Sequence, residues 1–289
     1  MDSNDTGVGG VVGLAELAAF LERHPKVLVL TGAGMSTASG IPDYRDRDGV
    51  RRGKAPIQGP DFRNKETVRR RYWARSMLGW PTLAKTLPNA GHRAIAALQA
   101  EGRISSVLTQ NVDGLHQQAG SNDVIELHGN IHQVVCLHCR ASYLRSEVQA
   151  MLEQANPALI GAAAMALPDG DAQFEPEAME EFHVPACRIC GGMLQPDVVF
   201  FGDGVPRERT EAAEQALSKA DALLVIGSSL MVFSGFRFCR MAAAARKPIA
   251  AINRGITRAD HLLEFKSEAA AELVLPLLTR RIIGMPLEQ

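Results

Sequence analysis

Four short runs along the chain are apolar with little or no alternation: KVLVL at 26–30, ISSVLT at 104–109, DALLVIG at 221–227 and KPIAAIN at 247–253. A strand with one wet face alternates apolar and polar positions. Runs like these instead suit strands buried on both faces of a parallel sheet. Between them lie stretches with helical patterning, Ala90 to Ala100 and Arg209 to Ala220. Ahead of them, Leu14, Leu17, Ala18 and Leu21 mark the apolar stripe of an amphipathic helix over Leu14 to Leu21. Strands of this kind alternating with helices predict parallel βαβ units and an α/β fold, a Rossmann-like doubly wound sheet. Residues 1–12 are small, polar and glycine-rich, and read as a frayed end.

The alternation breaks twice. Residues 41–90 are rich in Arg, Gly and Pro and read as a loop plus a short helix. The second break, 131–194, holds two Cys-x-x-Cys pairs and an Ala/Pro/Asp/Glu-rich stretch at 155–180, and reads as a small inserted module. The expected organisation is therefore a discontinuous sheet domain, 13–130 and 195–280, interrupted by that module, with 41–90 as a loop and helical segment beside the sheet. There are no internal repeats.

Composition adds exclusions. With 289 residues, 46% hydrophobic and 22% charged, the chain can bury a full-sized core. A formal net charge of −1 argues against a nucleic-acid partner, which needs uncompensated Lys and Arg. Local basic clusters, Arg45, Arg47, Arg51 and Arg52, then Arg69, Arg70, Arg71 and Arg75, suit a phosphate or a carboxylate. No apolar stretch approaches the roughly 20 residues that span a bilayer, and the opening MDSNDTGVGG has no basic leader, so no membrane role and a cytoplasmic protein are expected; a monomer is the expected state. Four of the five cysteines fall in pairs, Cys136 with Cys139 and Cys187 with Cys190. In a reducing compartment two such knuckles mean four thiolates around a tetrahedral Zn²⁺ with no open position, hence a structural site. Residues 140–186 separate the pairs, a longer gap than in an ordinary zinc ribbon.

The remaining chemistry sits at strand ends. TGAGMSTASG at 31–40 follows the first strand, where Gly32 and Gly34 permit a tight turn and close approach to a pyrophosphate; a plain glycine-rich turn fits equally. The spacing departs from GxGxxG, with the third glycine only at Gly40. IPDYRDRDG at 41–49 places Asp43, Tyr44 and Arg45 where a lid over a dinucleotide would lie. TQNVDGLH at 109–116 offers Gln110, Asn111 and Asp113 to ribose hydroxyls and a carboxamide, with an Asx turn as the alternative for Asp113. In ELHGN, His128 is the best general-base candidate among eight histidines. His116 and His132 have no comparable case, and His138 lies inside a Cys pair that four thiolates already complete. GSSL at 227–230 and NRG at 253–255 each follow a buried strand and offer amides, hydroxyls or an Asn side chain. Four strands ending in small, polar loops describe one cleft.

Taken together, GAGMSTASGIPDYR, TQNVDGLH, ELHG, the two Cys pairs, QPDVVFFGD at 195–203, GSSL and INRG resemble the sirtuin family in content and order, over roughly residues 25–275. PIQGPDF at 56–62 and RRRYWARSMLGWP at 69–81 are most similar to class II sirtuins, the branch with the fourth human, mitochondrial member. The resemblance implies an NAD⁺-dependent protein lysine deacylase acting on acylated-lysine proteins or peptides. Gly32, Ala33, Gly34 and Ser36, with Thr37, would hold the NAD pyrophosphate. Pro42, Asp43, Tyr44 and Arg45 would form the cofactor-binding loop, with Tyr44 where relatives more often carry Phe. Gln110 and Asn111 would orient the nicotinamide ribose and Asp113 the carboxamide. Ser228, Ser229, Asn253 and Arg254 would bind the adenosine half, beside Gly227, Gly255 and Ala270. Val198, Val199, Phe200, Phe201 and Gly202 would pair with the substrate backbone as an added strand. In the implied reaction the acyl oxygen displaces nicotinamide and His128 acts as base on a ribose hydroxyl, giving free lysine and O-acyl-ADP-ribose. Protein mono-ADP-ribosyl transfer through the same cleft is the rival reading.

If 68–78 is helical, Tyr72 and Arg75 are i, i+3 neighbours. A Tyr-x-x-Arg here resembles the pair that holds the acyl carboxylate in desuccinylating and demalonylating sirtuins. The alternative is the solvated face of a basic helix.

Overall fold

The computed structural model describes residues 13–51, 55–161 and 181–284. The stretch expected to fray, 1–12, Arg52 and most of the Ala/Pro-rich 155–180 lie outside the described residues.

All four long apolar runs are strands of one six-stranded parallel sheet. These are β1 (Val27–Thr31), β2 (Ile104–Thr109), β7 (Ala222–Ile226) and β8 (Ile249–Ile252). Two three-residue edge strands, β3 (Val124–Glu126) and β9 (Phe265–Ser267), complete it in the order β3-β2-β1-β7-β8-β9. Numbered within the sheet alone this is 3-2-1-4-5-6, the order of a dinucleotide-binding Rossmann sheet, with its topological switch between β1 and β7. Alternate side chains of β1 serve two cores. Val27 and Val29 meet α1 (Leu14–Arg23), α4 (Ala90–Ala100) and α9 (Ala271–Ile283) through Leu17, Phe20, Ile95, Leu98 and Val274. Leu28 and Leu30 face α7 (Arg207–Lys219) and α8 (Phe233–Ala244) through Ala213, Leu217 and Phe238. Each such fully buried aliphatic side chain contributes about 1.5–3 kcal/mol relative to exposure, so the central strand anchors both layers.

The 41–90 segment is more helical than its composition suggests. After α2 (Gly59–Asn64) comes α3, Glu66–Leu83, an 18-residue helix with Pro81 in its last turns. The charged run Arg69–Arg71 hides the periodicity, although Tyr72, Trp73, Ala74, Met77 and Leu83 all reach the core. Tyr72 and Trp73 join Phe62 and Phe200 in an aromatic cluster against the second, smaller sheet.

That sheet is antiparallel, ordered β5-β4-β6: β4 is Gly129–Cys136, β5 Ser142–Leu144 and β6 Leu194–Val198. It carries the two cysteine knuckles, and α6 (Arg145–Ala155) covers it. Arg140 and Gly191, each just past a second cysteine, adopt left-handed backbone (φ 64° and 72°), which folds both knuckles alike. The four Sγ atoms lie within 4.8 Å of one another. Two of the separations are 3.5 Å (Cys136–Cys190) and 3.7 Å (Cys139–Cys187). Four thiolates about 2.3 Å from a tetrahedral Zn²⁺ stand about 3.8 Å apart, so the donor set fits zinc closely. Amides of His138, Cys139 and Gly192 point at Cys136 and Cys190 sulfurs, and the Tyr143 hydroxyl lies 3.1 Å from Cys187 Sγ, all partners suited to thiolate charge. No helix among the described residues is long and apolar enough to cross a membrane.

Replacing Cys187 by Ser should remove zinc and lower the melting temperature together, with the loss centred on residues 129–198. Metal analysis with hydrogen exchange checks this; a variant that keeps both metal and protection would show that the thiolates do not form one closed site.

Candidate active site

The loops that leave β1 and β7 touch at the switch point. A Cβ at Gly32 would overlap Ser228 and the Gly227 carbonyl, and one at Gly227 would overlap the backbone of Gly34 and Met35. Gly34 N–H donates to Gly227 O (2.8 Å) and Gly32 N–H to Ile226 O (3.1 Å). These contacts place the strand ends around a cleft of about 1930 Å³. Every nucleotide and substrate candidate read from the sequence lines it except Gly255, which packs behind, against the Arg47 carbonyl. The cysteine cluster stands apart from it.

Within the cleft the roles differ in detail from the sequence expectation. The amides of Gly32, Gly34 and Ser36 are already bonded to Ile226, Gly227 and Ala33 carbonyls, so they are not free to cradle a pyrophosphate. Among the described residues, no protein acceptor is seen for the amides of Ala33 and Thr37. The Ser36 hydroxyl is also committed: it donates to Asp113 Oδ2 (2.7 Å) and accepts from Asn111 Nδ2 (3.0 Å). Ser228 is buried, and its hydroxyl accepts from Gln110 Nε2 (2.7 Å) and from Leu230 N–H (3.2 Å), so it braces the β7 loop.

Asp113 forms the Asx turn and also reaches into the cleft. Its Oδ1 accepts from Leu115 N–H in an Asx turn (3.0 Å), while Oδ2 faces Ser36. Burial raises its pKa above the ordinary carboxylate value, against the pull of these hydrogen bonds. Behind it sits a buried polar chain that the sequence did not disclose. His92 Nδ1 accepts from Asn89 N–H, which leaves Nε2–H facing Ser36 Oγ (3.5 Å). His116 lies edge-on to His92, with ring centroids 4.9 Å apart, and its Nε2 meets Thr31 Oγ1 (3.0 Å), which donates to Thr109 Oγ1. Burial lowers both pKa values, His92 to about 4 and His116 to about 3, so both rings are neutral. His132, given no role from sequence, holds the Asp113 carbonyl through Nε2 (3.0 Å).

His128 stands where the nucleotide cleft meets the small sheet. Its Nδ1 is 2.9 Å from the Gln110 carbonyl and its Nε2 2.8 Å from Ser234 Oγ. A carbonyl can only accept, so Nδ1 carries the proton and Nε2 is the acceptor. Burial, then the nearby Arg209 guanidinium, push its pKa below the ordinary 6.5, while the Gln110 carbonyl pulls the other way. A neutral imidazole whose Nε2 lone pair is held only by a serine hydroxyl can take a proton there once that hydroxyl gives way. Just beyond, β6 is an edge strand of its sheet, and residues 198–202 continue along the cleft wall. Val199 N–H is bonded to His128 O, and Gly59 N–H to Phe201 O. Arg63 forks onto Asp203 at 2.6 and 2.9 Å, fixing the end of the segment.

The lid residues are tied down locally. Arg45 Nη1 donates to Gly49 O, Ile256 N–H to Arg47 O, and Arg51 stacks over the rings of Phe201 and Tyr44. Tyr72 is not on a solvated face. It is 5% exposed, packed beside Phe62 and Phe200, and lines the cleft together with Arg71 and Arg75. Arg51 and Arg71, from the basic clusters suited to an anion, also line it, as does Ser234, which no motif had marked.

Known proteins match this arrangement. The model of the Sir2 family matches residues 32–234. A NAD-dependent protein deacetylase of Xanthomonas axonopodis pv. citri is 52% identical over 262 residues, 91% of this chain and 89% of that protein. NAD-dependent protein deacetylase 2 of Bradyrhizobium diazoefficiens is 51% identical over 91% of this chain and 96% of its own. Among solved structures, a Sir2 bound to acetylated peptide superposes with a TM-score of 0.74 at 26% identity, covering 94% of this chain and 99% of that one. With its sheet order, cysteine cluster and strand-end cleft in agreement with these matches, the chain belongs to the Sir2 family of sirtuins.

Proposed function

We propose that the cleft removes acyl groups from lysine side chains of proteins or peptides in an NAD⁺-dependent reaction. The observation that carries this is the position of neutral His128, with Nε2 as acceptor, between a Rossmann nucleotide cleft and the open edge of β6. Bound NAD⁺ supplies a carbon from which nicotinamide departs and a ribose hydroxyl to be deprotonated. The protein's part is to hold and to orient. We assign the pyrophosphate to the amides of Ala33 and Thr37, the adenosine half to Ser229, Asn253 and Arg254, and the nicotinamide end to Gln110, Asn111 and Asp113. The edge at Val198–Gly202 receives the peptide backbone as an added strand. His128 Nε2 takes the hydroxyl proton. Its lowered pKa keeps it in the base form at neutral pH.

PIQGPDF and RRRYWARSMLGWP support the class II branch, and a four-thiolate zinc site suits the reducing cytoplasm. Tyr72 in the cleft wall, with Arg71 and Arg75 beside it, supports an acyl group that ends in a carboxylate, which Arg can grip through two parallel hydrogen bonds.

Four outcomes test this reading. Mass spectrometry of protein, NAD⁺ and a panel of acetyl, long-chain, lipoyl, malonyl, succinyl and glutaryl-type peptides should show deacylation with matching O-acyl-ADP-ribose; ADP-ribose left on protein would favour the transferase reading. His128→Ala should lower deacylation by about 10²-fold or more, the usual share of a general base. Because the base form is lost as pH falls through the lowered His128 pKa, kcat/KM should stay level at neutral pH and decline only below about 6.5, the ordinary imidazole value. Tyr72→Phe with Arg75→Met should weaken acidic acyl substrates selectively; equal loss on acetyl peptide would defeat the carboxylate idea.

A further inference from the structure

Ser234 is the second residue of α8, and its neighbour Gly235 explains how it reaches the site. A Cβ at 235 would overlap the side-chain amide of Gln110, which is pinned to Thr31 O and Ser228 Oγ. With no side chain at 235, the first turn of α8 closes on Gln110. The same residue, Gln110, then holds one nitrogen of His128 through its carbonyl, while Ser234 meets the other. The imidazole is gripped from two elements, the β2 loop and the α8 N-terminus, and among the described residues no carboxylate bonds it. The charged group facing it is Arg209 of α7, itself paired to Asp197 of β6 at 2.7 Å.

We propose that Ser234 is a positioning residue for His128, its hydroxyl holding the ring with Nε2 toward the cleft until the hydroxyl to be deprotonated takes its place. This rests on the reading of His128 as the base. A serine suits the task better than a carboxylate would. Its O–H donates to Nε2 while the ring is neutral. After the proton has moved from the substrate hydroxyl to Nε2 and the substrate oxygen has gone on to attack the acyl carbon, the serine can return with its oxygen as acceptor for the new N–H. Neither protonation state of the buried ring is then left without a partner, which would otherwise raise the barrier to proton transfer. Fixing the ring plane also removes the entropy of a swinging base.

The test uses the full chain loaded with zinc. In ¹⁵N-histidine NMR without cofactor, Ser234→Ala should move the His128 Nε2 resonance toward that of an unbonded pyridine-type nitrogen, and Ser234→Thr should restore it. In the alanine variant deacylation should fall on the order of 10-fold, as expected for one lost hydrogen bond to the base, while peptide-dependent exchange of labelled nicotinamide into NAD⁺ is retained. Threonine should recover the lost step. An unchanged Nε2 resonance with unchanged deacylation would overturn the proposal, as would equal loss of both steps that threonine does not rescue, the mark of a disturbed α8. His128→Ala, run alongside, separates the two ideas: deacylation retained there removes the base itself, whatever Ser234 does.

Discussion

The site depends on the contact between two glycine loops. Where β1 and β7 diverge, a Rossmann sheet opens a crevice, but the crevice has a defined floor only if the loops capping the two strands meet. Here Gly32 and Gly34 lie on Gly227 so closely that a methyl group at Gly32 or Gly227 would overlap backbone. Two amides from the first loop close onto the β7 strand end and its loop. This uses up hydrogen-bonding groups that a phosphate would otherwise claim. The glycines therefore act first as loop-to-loop packing, and the amides of Ala33 and Thr37 are among those in this loop left to act as donors.

From that floor the polar machinery extends in two directions. Inward, Asn111 and Asp113 are held by Ser36, whose hydroxyl is in turn faced by His92, and His116 continues the chain to Thr31 and Thr109. The two buried histidines are neutral because desolvation outweighs any benefit of charge, so the network sets direction without setting a charge beside Asp113. Outward, Gln110 turns its carbonyl to His128 and its amide to Ser228. One strand end thus fixes both the base and the β7 loop, which makes the 109–113 turn the joint between the nucleotide and peptide sides.

Much of this was legible in the chain. Buried strands announce themselves by lack of alternation, so β1, β2, β7 and β8 stood out, and the helical patterning of Ala90–Ala100 matches α4, which Asn89 caps. The cysteine spacing declared its chemistry. What escaped notice did so for physical reasons. The edge strands β3 and β9 are three residues long and too short to show a period. Three consecutive arginines at 69–71 interrupt the apolar pattern of α3, so its helical signal is blurred although Trp73, Ala74 and Met77 bury fully or nearly so. Ser36 and Ser228 were matched by motif to the cofactor, yet a hydroxyl's partner is decided by residues 75 and 118 positions away. His92, His132 and Ser234 carried no signal, since a lone polar residue gains its meaning only from what the fold brings against it.

The same reasoning bears on why the small sheet and the large one are joined where they are. His128 is the last residue before β4, and its carbonyl accepts from Val199 N–H just past β6. The base is therefore held from the nucleotide side by Gln110 and from the peptide side by the strand pair that the cysteine cluster stabilises. The four cysteines sit away from the cleft, at the ends of β4 and β6 farthest from His128; pairing runs from Cys136–Leu194 to Val134–Pro196, breaks register, and resumes at Asn130–Asp197 and Gly129–Val198, beside residues 128 and 199. The strand pair that carries the cysteines at one end thus meets the base at the other, where Val199 N–H closes on the His128 carbonyl.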